Sequence, residues 1–365
     1  MIPSRKFNRL GAVSFTFLLV TARPSHDVHS QEMTGTGQQP GSVTKADARS
    51  PLITEKSANA ALTKFPVRIP RQGPVTLHIQ LLLDRAHFSP GIIDGAWGIN
   101  AAKALAFFAN PEGAGGGDTP PLISSLDKAT YGRLREAAGP APLLDRYAIT
   151  EQDLQGPFVS IPDTVYAQAE LTCLCYSSAI EAIAEKFHTS EALLAQLNPR
   201  VKLNNLAGGT QLVVPNIPDP TAASPMDTMI VARLIISKQG YWTHAVNAAG
   251  RILYHFPSTL GAGYDPSPTG DFRVTGIARD PAFHYQPRLF AEVPDTKTEA
   301  HLPPGPNSPV GVVWMALSKP HYGIHGTASP QTIGYANSHG CVRLTNWDAL
   351  QLSDIVDSGT PVQFK

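Results

Sequence analysis

The chain has 365 residues, which is longer than most single domains and long enough for two or three. Lys and Arg together number 29, as do Asp and Glu, so the composition favours neither nucleic acid nor an acidic membrane surface as a partner. The 33 Pro and 30 Gly residues suit several small domains joined by loops.

The N-terminus has the pattern of an export signal. Arg5, Lys6 and Arg9 precede a short apolar run over 11–22, which ends in small residues like those of a cleavage site. We therefore expect residues 1–22 to be a signal peptide. The mature protein would then lie in the periplasm or cell envelope without a membrane span. An uncleaved anchor or a buried helix is the alternative.

A helical segment is expected after a linker. Residues 23–70 lack apolar periodicity and predict a disordered linker. One helix is then expected from Val75, a second after Asn100 as its N-cap, and a third over about 127–138. Residues 71–140 resemble the type 1 peptidoglycan-binding domain, a three-helix module whose Asp-Gly-x-x-Gly loop corresponds to 94–98 here. A generic helical domain is the alternative.

A second small unit is expected over 165–216. We predict a strand over Val165–Leu171, two helices, the second capped by Ser190, and a closing strand over 211–215. This strand-helix-helix-strand order resembles the LysM domain, a glycan-binding module. The first turn has Tyr176-Ser177-Ser178 where the family has Gly-Asp-Thr. Glycan binding and the positioning of neighbouring domains are therefore both open as functions.

The three cysteines fall into two groups. Cys173 and Cys175 flank Leu174 in an apolar segment, whereas Cys341 lies far along the chain. A disulfide between residues two apart is strained, though possible, so we expect Cys173 and Cys175 to be core residues, free or weakly redox-active, and the sequence leaves their oxidation state open. Cys341 is then left as a free thiol.

Strand patterns begin at about Asp227 and continue to the end of the chain. Strands are predicted over 228–237, 241–248, 254–259 and 362–364, which gives a mostly β domain over 227–365. Together with the three-helix segment and the βααβ unit, this makes a multidomain α+β protein.

Four side chains stand out as candidates for chemistry in this domain: His321, His325, His339 and Cys341. In one interpretation Cys341 is a nucleophile and His325 its base, with a backbone carbonyl orienting the imidazole and N–H groups near Gly340 holding an oxyanion. In a second, the three His and the Cys bind zinc. In a third, they are ordinary core residues. The nucleophile interpretation, in which Cys341 attacks and His325 is the base, requires neither a metal ion nor a cofactor.

Residues 227–365 resemble the L,D-transpeptidase catalytic domain, also called the YkuD domain. The resemblance rests on His325-Gly326-Thr327, on the run from Ser338 to Leu344, and on Pro-x-Gly segments at 268–270 and 309–311. It implies Cys341 as the nucleophile and His325 as the proton donor and acceptor. It also implies supporting roles for five residues: Ser338, His339, Gly340, Arg343 and Gly326.

The resemblance further implies a reaction. Cys341 would form a thioester with a tetrapeptide stem of peptidoglycan, release D-Ala and pass the acyl group to an amine of a second stem, which makes a 3-3 cross-link. The partners would be stem peptides and glycan strands. Water or a lipoprotein Lys as acceptor would give a carboxypeptidase or an anchoring enzyme. A non-catalytic wall-binding protein is the remaining alternative.

Overall fold

The computed structural model describes residues 52–112, 120–217, 230–261, 263, 265–289 and 297–365. The predicted signal peptide and the first part of the predicted linker lie outside these ranges. Within the described ranges, no helix combines the length and the apolar character needed to cross a bilayer.

The N-terminal part is mainly helical, with short strands between the helices. Its elements are α1 (Glu55–Asn59), β1 (Val67–Arg68), α2 (Pro74–Arg85), α3 (Ile99–Ala109), β2 (Ser125–Leu126), α4 (Lys128–Ala138), β3 (Leu144–Ala148), α5 (Glu151–Leu154), α6 (Val165–Ala169), α7 (Ala179–Lys186), α8 (Glu191–Leu197) and β4 (Gln211–Pro215).

The C-terminal part is mostly β, as the sequence predicts. Its elements are β5 (Arg233–Ser237), β6 (Trp242–Val246), β7 (Ile252–Pro257), β8 (Leu260–Gly261), β9 (Gly270–Arg279), β10 (Phe283–Tyr285), β11 (Ala300–Leu302), β12 (Val313–Leu317), β13 (Gly323–His325), β14 (Asn337–Ser338), β15 (Val342–Arg343), α9 (Asn346–Ile355) and β16 (Pro361–Phe364). Among the described residues of this part, short 3-10 helices lie at Pro287–Leu289 and Pro330–Thr332.

Two expectations for the first helical segment are wrong. Residues 52–70, predicted to be part of a disordered linker, include α1 and β1, because Ile53 and Ala58 are buried in the core of the helical segment. Asn100 is not the N-cap of α3, since Gly98 holds that position. The Asn100 amide instead donates to the carbonyl of Ile333 at 2.8 Å, a bond to the C-terminal part that local sequence does not reveal.

The predicted strand over Val165–Leu171 is also wrong. Residues 165–169 form helix α6, whose first turn is capped by the Thr164 hydroxyl. The strand that pairs antiparallel with β4 is β3, more than fifteen residues earlier in the chain. The predicted Ser190 cap of α8 is confirmed, because the Ser190 hydroxyl accepts from the N–H of Leu193 at 3.1 Å.

Cys173 and Cys175 form a disulfide, the possibility that the sequence left open beside the favoured free thiols. Their Cα atoms lie 5.2 Å apart, within the range that a disulfide spans. Leu174 between them is fully buried, and its N–H and C=O both bond to the backbone of the 304–307 loop. The disulfide therefore closes a small loop that presses one apolar side chain against the C-terminal domain.

An eight-stranded mixed sheet forms the centre of the C-terminal domain, in the order β15-β13-β12-β9-β16-β5-β6-β7. The β15–β13 and β16–β5 pairs are parallel and the other neighbours are antiparallel. Alternate residues of the strands pack beneath α9 in one apolar core.

The N-terminal elements cover the opposite face of the sheet. At the β5–β7 end, Ile235 and Trp242 join the core of the helical segment. Phe107 of α3 lies edge-on to Trp242, with ring centroids 5.3 Å apart. At the β12–β15 end, Leu174 packs in a smaller core that contains Trp314 and Cys341. The N-terminal part is thus in contact with the end of the sheet that carries Cys341.

Candidate active site

Neighbouring parallel strands bring His325 and Cys341 onto one face of the sheet. In the β13–β15 pair, Ile324 lies opposite Val342 and His325 opposite Arg343. Ile324 and Val342 both point into the core beneath α9. Because side chains alternate along a strand, His325 and Cys341, the residue just before β15, point to the other face, two register positions apart along the strand pair.

The His325 ring is fixed from two sides. Its Nδ1 lies 2.7 Å from the carbonyl oxygen of Gly326, so the neutral ring donates there, as the sequence predicts for a backbone orienter. Its face stacks on Trp314, with ring centroids 5.3 Å apart. Nε2 is buried and has no hydrogen-bond partner among the described residues. This places an available proton acceptor on the face that carries Cys341.

Burial sets the protonation of both groups. His325 is fully buried, and desolvation, assisted by the charge of Arg343, lowers its pKa to about 3. Desolvation likewise raises the pKa of the Cys341 thiol to about 11, although a backbone hydrogen bond at Gly323 and the Arg343 charge act against it. At neutral pH the resting thiol of Cys341 and the resting imidazole of His325 are therefore both neutral. The thiol must lose its proton during attack rather than before it.

The turn before Cys341 depends on glycine. Gly340 has φ +99°, a conformation that other residues rarely adopt. A Cβ there would also approach the Tyr322 ring to 2.7 Å. The Sγ of Cys341 lies 3.8 Å from the carbonyl oxygen of His321, a weak sulfur contact.

Two buried hydroxyls hold this turn. The Ser338 hydroxyl donates to the carbonyl oxygen of Cys341 at 2.6 Å. The Ser267 hydroxyl donates to the carbonyl oxygen of Gly340 at 2.7 Å and accepts from the N–H of Gly261 at 2.8 Å. Ser338 was among the residues expected at the site. Ser267 was not, because it lies more than 70 residues away in the chain and belongs to no local motif.

The other predicted side chains take different positions. Arg343 is 6% exposed and lies beside His325 in the β13–β15 pair. His339 is partly buried within the turn, and His321 is exposed. In the described part of the chain, no three or more His, Cys, Asp or Glu side chains are grouped so that they could hold a metal ion.

Asn346 is a site residue that sequence reasoning missed. It begins α9 and is 1% exposed. Its Oδ1 accepts from the N–H of Thr327 at 3.1 Å and from the N–H of Val312 at 3.3 Å. A Cβ on Gly326 would overlap this oxygen. Asn346 therefore packs against the peptide whose carbonyl orients His325. The sequence does not reveal this contact, because Asn346 resembles any Asn in the first turn of a helix.

An apolar roof covers the Cys341 end of the sheet. Leu174, Trp314, Cys341 and the β10–β11 hairpin, through Phe283 and Leu302, form one buried cluster. Such a surrounding excludes water from the thiol, which strengthens electrostatic interactions there and disfavours hydrolysis of an acyl intermediate.

The family model of the L,D-transpeptidase catalytic domain, YkuD, matches residues 231–364. Among solved structures, an L,D-transpeptidase from Xylanimonas cellulosilytica is 15% identical with a TM-score of 0.36, over 84% of this chain and all of that one. L,D-transpeptidase 3 from Mycobacterium tuberculosis is 18% identical with a TM-score of 0.30, and the match covers 36% of this chain and 60% of that one.

Two curated relatives extend the comparison. A putative L,D-transpeptidase YkuD of Bacillus subtilis is 31% identical over 183 residues, which are 50% of this chain and 91% of that protein. The probable L,D-transpeptidase YbiS of Escherichia coli K12 is 27% identical over 198 residues, which are 51% of this chain and 59% of that protein. On the extent and identity of the Bacillus match and on the match to the family model, the chain belongs to the YkuD-type L,D-transpeptidase family.

Proposed function

We propose that this protein is a peptidoglycan L,D-transpeptidase that makes 3-3 cross-links through a Cys341 thioester. The observation that carries the proposal is the placement of Cys341 and of the partner-free Nε2 of His325 on the same buried face of the β13–β15 pair. Membership of a family named for this reaction, whose members are cysteine-dependent acyltransferases, supports the same chemistry.

The first half-reaction forms the thioester. His325 Nε2 takes the thiol proton as the Cys341 sulfur attacks the carbonyl of the third stem residue at its L centre. The resulting oxyanion is held by backbone N–H groups of the Gly340–Cys341 turn. The carbon–nitrogen bond then breaks, and the protonated His325 gives its proton to the amine of the departing D-Ala.

The second half-reaction forms the cross-link. An amine of a second stem attacks the thioester carbonyl and loses a proton to His325, and the Cys341 thiolate leaves and is reprotonated. The acyl bond energy passes from the first peptide bond to the thioester and then to the new amide, so the reaction needs no nucleotide and no cofactor. The apolar roof favours an amine over water as the acceptor.

The N-terminal segments suit action at the cell wall. The apolar segment over 11–22 supports export to the periplasm, where the substrate would be found. In the peptidoglycan-binding-like segment, the Asp94 loop is closed by bonds from Gln80 and from the N–H of Ala96. The β3, α7, α8 and β4 arrangement supports the LysM-like interpretation, with a first strand earlier than the sequence predicts. Glycan strands are the proposed ligands of both units.

Incubation with a disaccharide tetrapeptide, followed by mass spectrometry of the products, tests the proposed function. We expect loss of D-Ala together with a dimer linked between third residues. Loss of D-Ala without a dimer assigns water as the acceptor. A dimer between the donor and a Lys-bearing lipoprotein peptide, formed in preference to the stem dimer, assigns an anchoring enzyme. An unchanged substrate under reducing conditions would contradict the enzyme assignment and leave a wall-binding protein.

A further inference from the structure

A polar chain links the LysM-like unit to the catalytic histidine. Glu185 lies on α7, outside the residues that match the family model. Its Oε1 accepts from the Tyr176 hydroxyl at 2.9 Å and from the side-chain amide of Asn346 at 3.0 Å. The Glu185 side chain therefore makes a hydrogen bond from the LysM-like unit to Asn346, the first residue of α9 in the catalytic domain.

All the hydrogen-bonding groups of the Asn346 amide are used. Its Nδ2 donates to Glu185 and to the carbonyl oxygen of Pro306 at 3.1 Å. Its Oδ1 accepts from the N–H groups of Val312 and Thr327. Since each atom of the amide is held by partners of fixed type, the amide has one orientation, with its oxygen against the loop that follows His325.

The same loop orients the imidazole. The Thr327 N–H that binds Asn346 belongs to the peptide unit whose carbonyl is that of Gly326. This carbonyl accepts from His325 Nδ1 at 2.7 Å. A shift of the Gly326–Thr327 peptide therefore moves the hydrogen bond that sets the tautomer and tilt of His325.

We propose that Glu185 is a positioning residue for His325, acting through Asn346, so that the LysM-like unit completes the catalytic site. The inference rests on the proposed function, but the hydrogen bonds that support it lie within the protein and do not depend on the substrate. It assigns the unit a role in catalysis besides any binding of glycan.

This position requires an acceptor oxygen. Glu185 Oε1 accepts two hydrogen bonds there, from the Tyr176 hydroxyl and from the Asn346 amide. Desolvation raises the pKa of Glu185 to about 7, with Asn346, Tyr176 and His188 acting against the rise and Glu181 adding to it. Burial of a carboxyl carries a cost in desolvation, and proteins keep such a group where its hydrogen bonds have a role.

The test uses the full chain and three variants. Glu185→Ala removes the acceptor. Glu185→Gln keeps an acceptor oxygen of the same reach. Lys186→Ala is the matched control, because Lys186 is the next residue on α7 and binds the Tyr147 hydroxyl and Asp153 but not Asn346. Melting temperatures of all three, measured together, show whether the two Ala variants weaken the fold alike.

Two rates are measured for each protein: formation of the Cys341 acyl-enzyme from the tetrapeptide, and alkylation of Cys341 by iodoacetamide without any stem peptide. For Glu185→Ala we expect both rates to fall by about tenfold or more, with little change in KM, because a small misplacement of a catalytic group costs this much. For Glu185→Gln we expect rates within about threefold of wild type, and for Lys186→Ala rates within about twofold.

Two results would overturn the positioning role: equal rates for Glu185→Ala and Lys186→Ala, or a Glu185→Gln variant as slow as Glu185→Ala. The alkylation rate separates this inference from the proposed function. If wild type does not react with the tetrapeptide, the proposed function fails, whereas the alkylation rates of the variants still decide whether Glu185 positions His325.

Discussion

The imidazole of His325 stacks on the indole of Trp314, with ring centroids 5.3 Å apart and ring planes inclined by 20°. The two residues lie opposite each other in the β12–β13 pair, so the sheet itself sets their contact. Gly323 makes room for the indole, because a Cβ there would overlap its six-membered ring. The stack and the Gly326 carbonyl together leave the imidazole a single orientation.

Replacing Trp314 with Ala should therefore impair catalysis as well as stability. Loss of a buried Trp typically costs about 3–5 kcal/mol of unfolding free energy, measurable by urea denaturation. We also expect the acyl-enzyme rate to fall by about tenfold or more at temperatures where the variant is folded, because the His325 ring loses one of its supports.

Trp242→Ala is the matched control for this prediction. Trp242 is equally buried but lies at the other end of the sheet, against Phe107 of the helical segment. We expect a similar loss of stability with a near-normal acyl-enzyme rate. Equal loss of rate in the two variants would show that Trp314 acts only through global stability.

The protonation of the resting thiol is a second prediction. Since burial raises the pKa of Cys341 to about 11 and lowers that of His325 to about 3, neither group should be ionised at neutral pH. The thiolate absorbs near 240 nm, and we expect the difference spectrum between wild type and Cys341→Ala to show none below about pH 9. A rise in absorbance between pH 5 and 8 would indicate a preformed thiolate–imidazolium pair instead.

Gly340 gives a third prediction, with a control in the same chain. Gly340 and Gly359 have nearly the same φ, +99° and +100°, so Ala costs both positions backbone strain, on the order of 1–2 kcal/mol. Only at Gly340 does the new Cβ meet a side chain, Tyr322, beside the nucleophile. We expect Gly340→Ala to lower the acyl-enzyme rate by about tenfold or more, and Gly359→Ala to leave it near wild type.

Stability against pH provides a fourth prediction, through Asp348. This carboxyl is buried where α9 meets the helical segment, and it accepts from the Ser89 hydroxyl at 3.0 Å. Burial raises its pKa from 3.8 to about 7, with the nearby Asp84 adding to the rise. Between these values the folded state holds the proton more tightly than the unfolded state. The unfolding free energy contributed by Asp348 therefore falls as the pH rises through this window.

Asp348→Asn removes that titration while keeping an acceptor for Ser89. We expect the variant to lose less stability than wild type between about pH 4 and pH 7, measured by urea denaturation at several pH values. The buried His255, whose pKa is lowered to about 3, acts in the opposite sense in both proteins and cancels in the difference. The control is Asp354→Asn, an exposed change on the same helix, which should not reproduce the effect. Parallel curves for wild type and Asp348→Asn would contradict the prediction.

The sequence predicts most of what is local in this chain. The apolar periodicity over 75–86 corresponds to α2, the cap at Ser190 to α8, and the strand patterns after 230 to the large sheet. The predicted backbone partner of His325 is also confirmed, since Nδ1 donates to Gly326. Each of these depends on residues close together in the chain, where spacing and capping have direct physical meaning.

The predictions that differ from the structure have a common cause: tertiary contacts override the local sequence pattern. Val165–Ala169 is apolar enough for a strand but is a capped helix, while the exposed-looking β3 is a strand because β4 pairs with it. Cys173 and Cys175 are bridged because the loop they close is held against 304–307. No spacing rule connects Glu185 with Asn346, more than 150 residues apart, so their contact appears only in the fold.

The most direct test of the central claim is intact-protein mass spectrometry of wild type, Cys341→Ala and His325→Gln, each mixed with a tetrapeptide stem. For wild type we expect a covalent adduct equal to the stem minus D-Ala, located on Cys341 by peptide mapping. Cys341→Ala should form none, and His325→Gln should form it at least about a hundredfold more slowly. An adduct of unchanged yield in Cys341→Ala, or one that forms at the wild-type rate in His325→Gln, would contradict a Cys341 nucleophile served by His325.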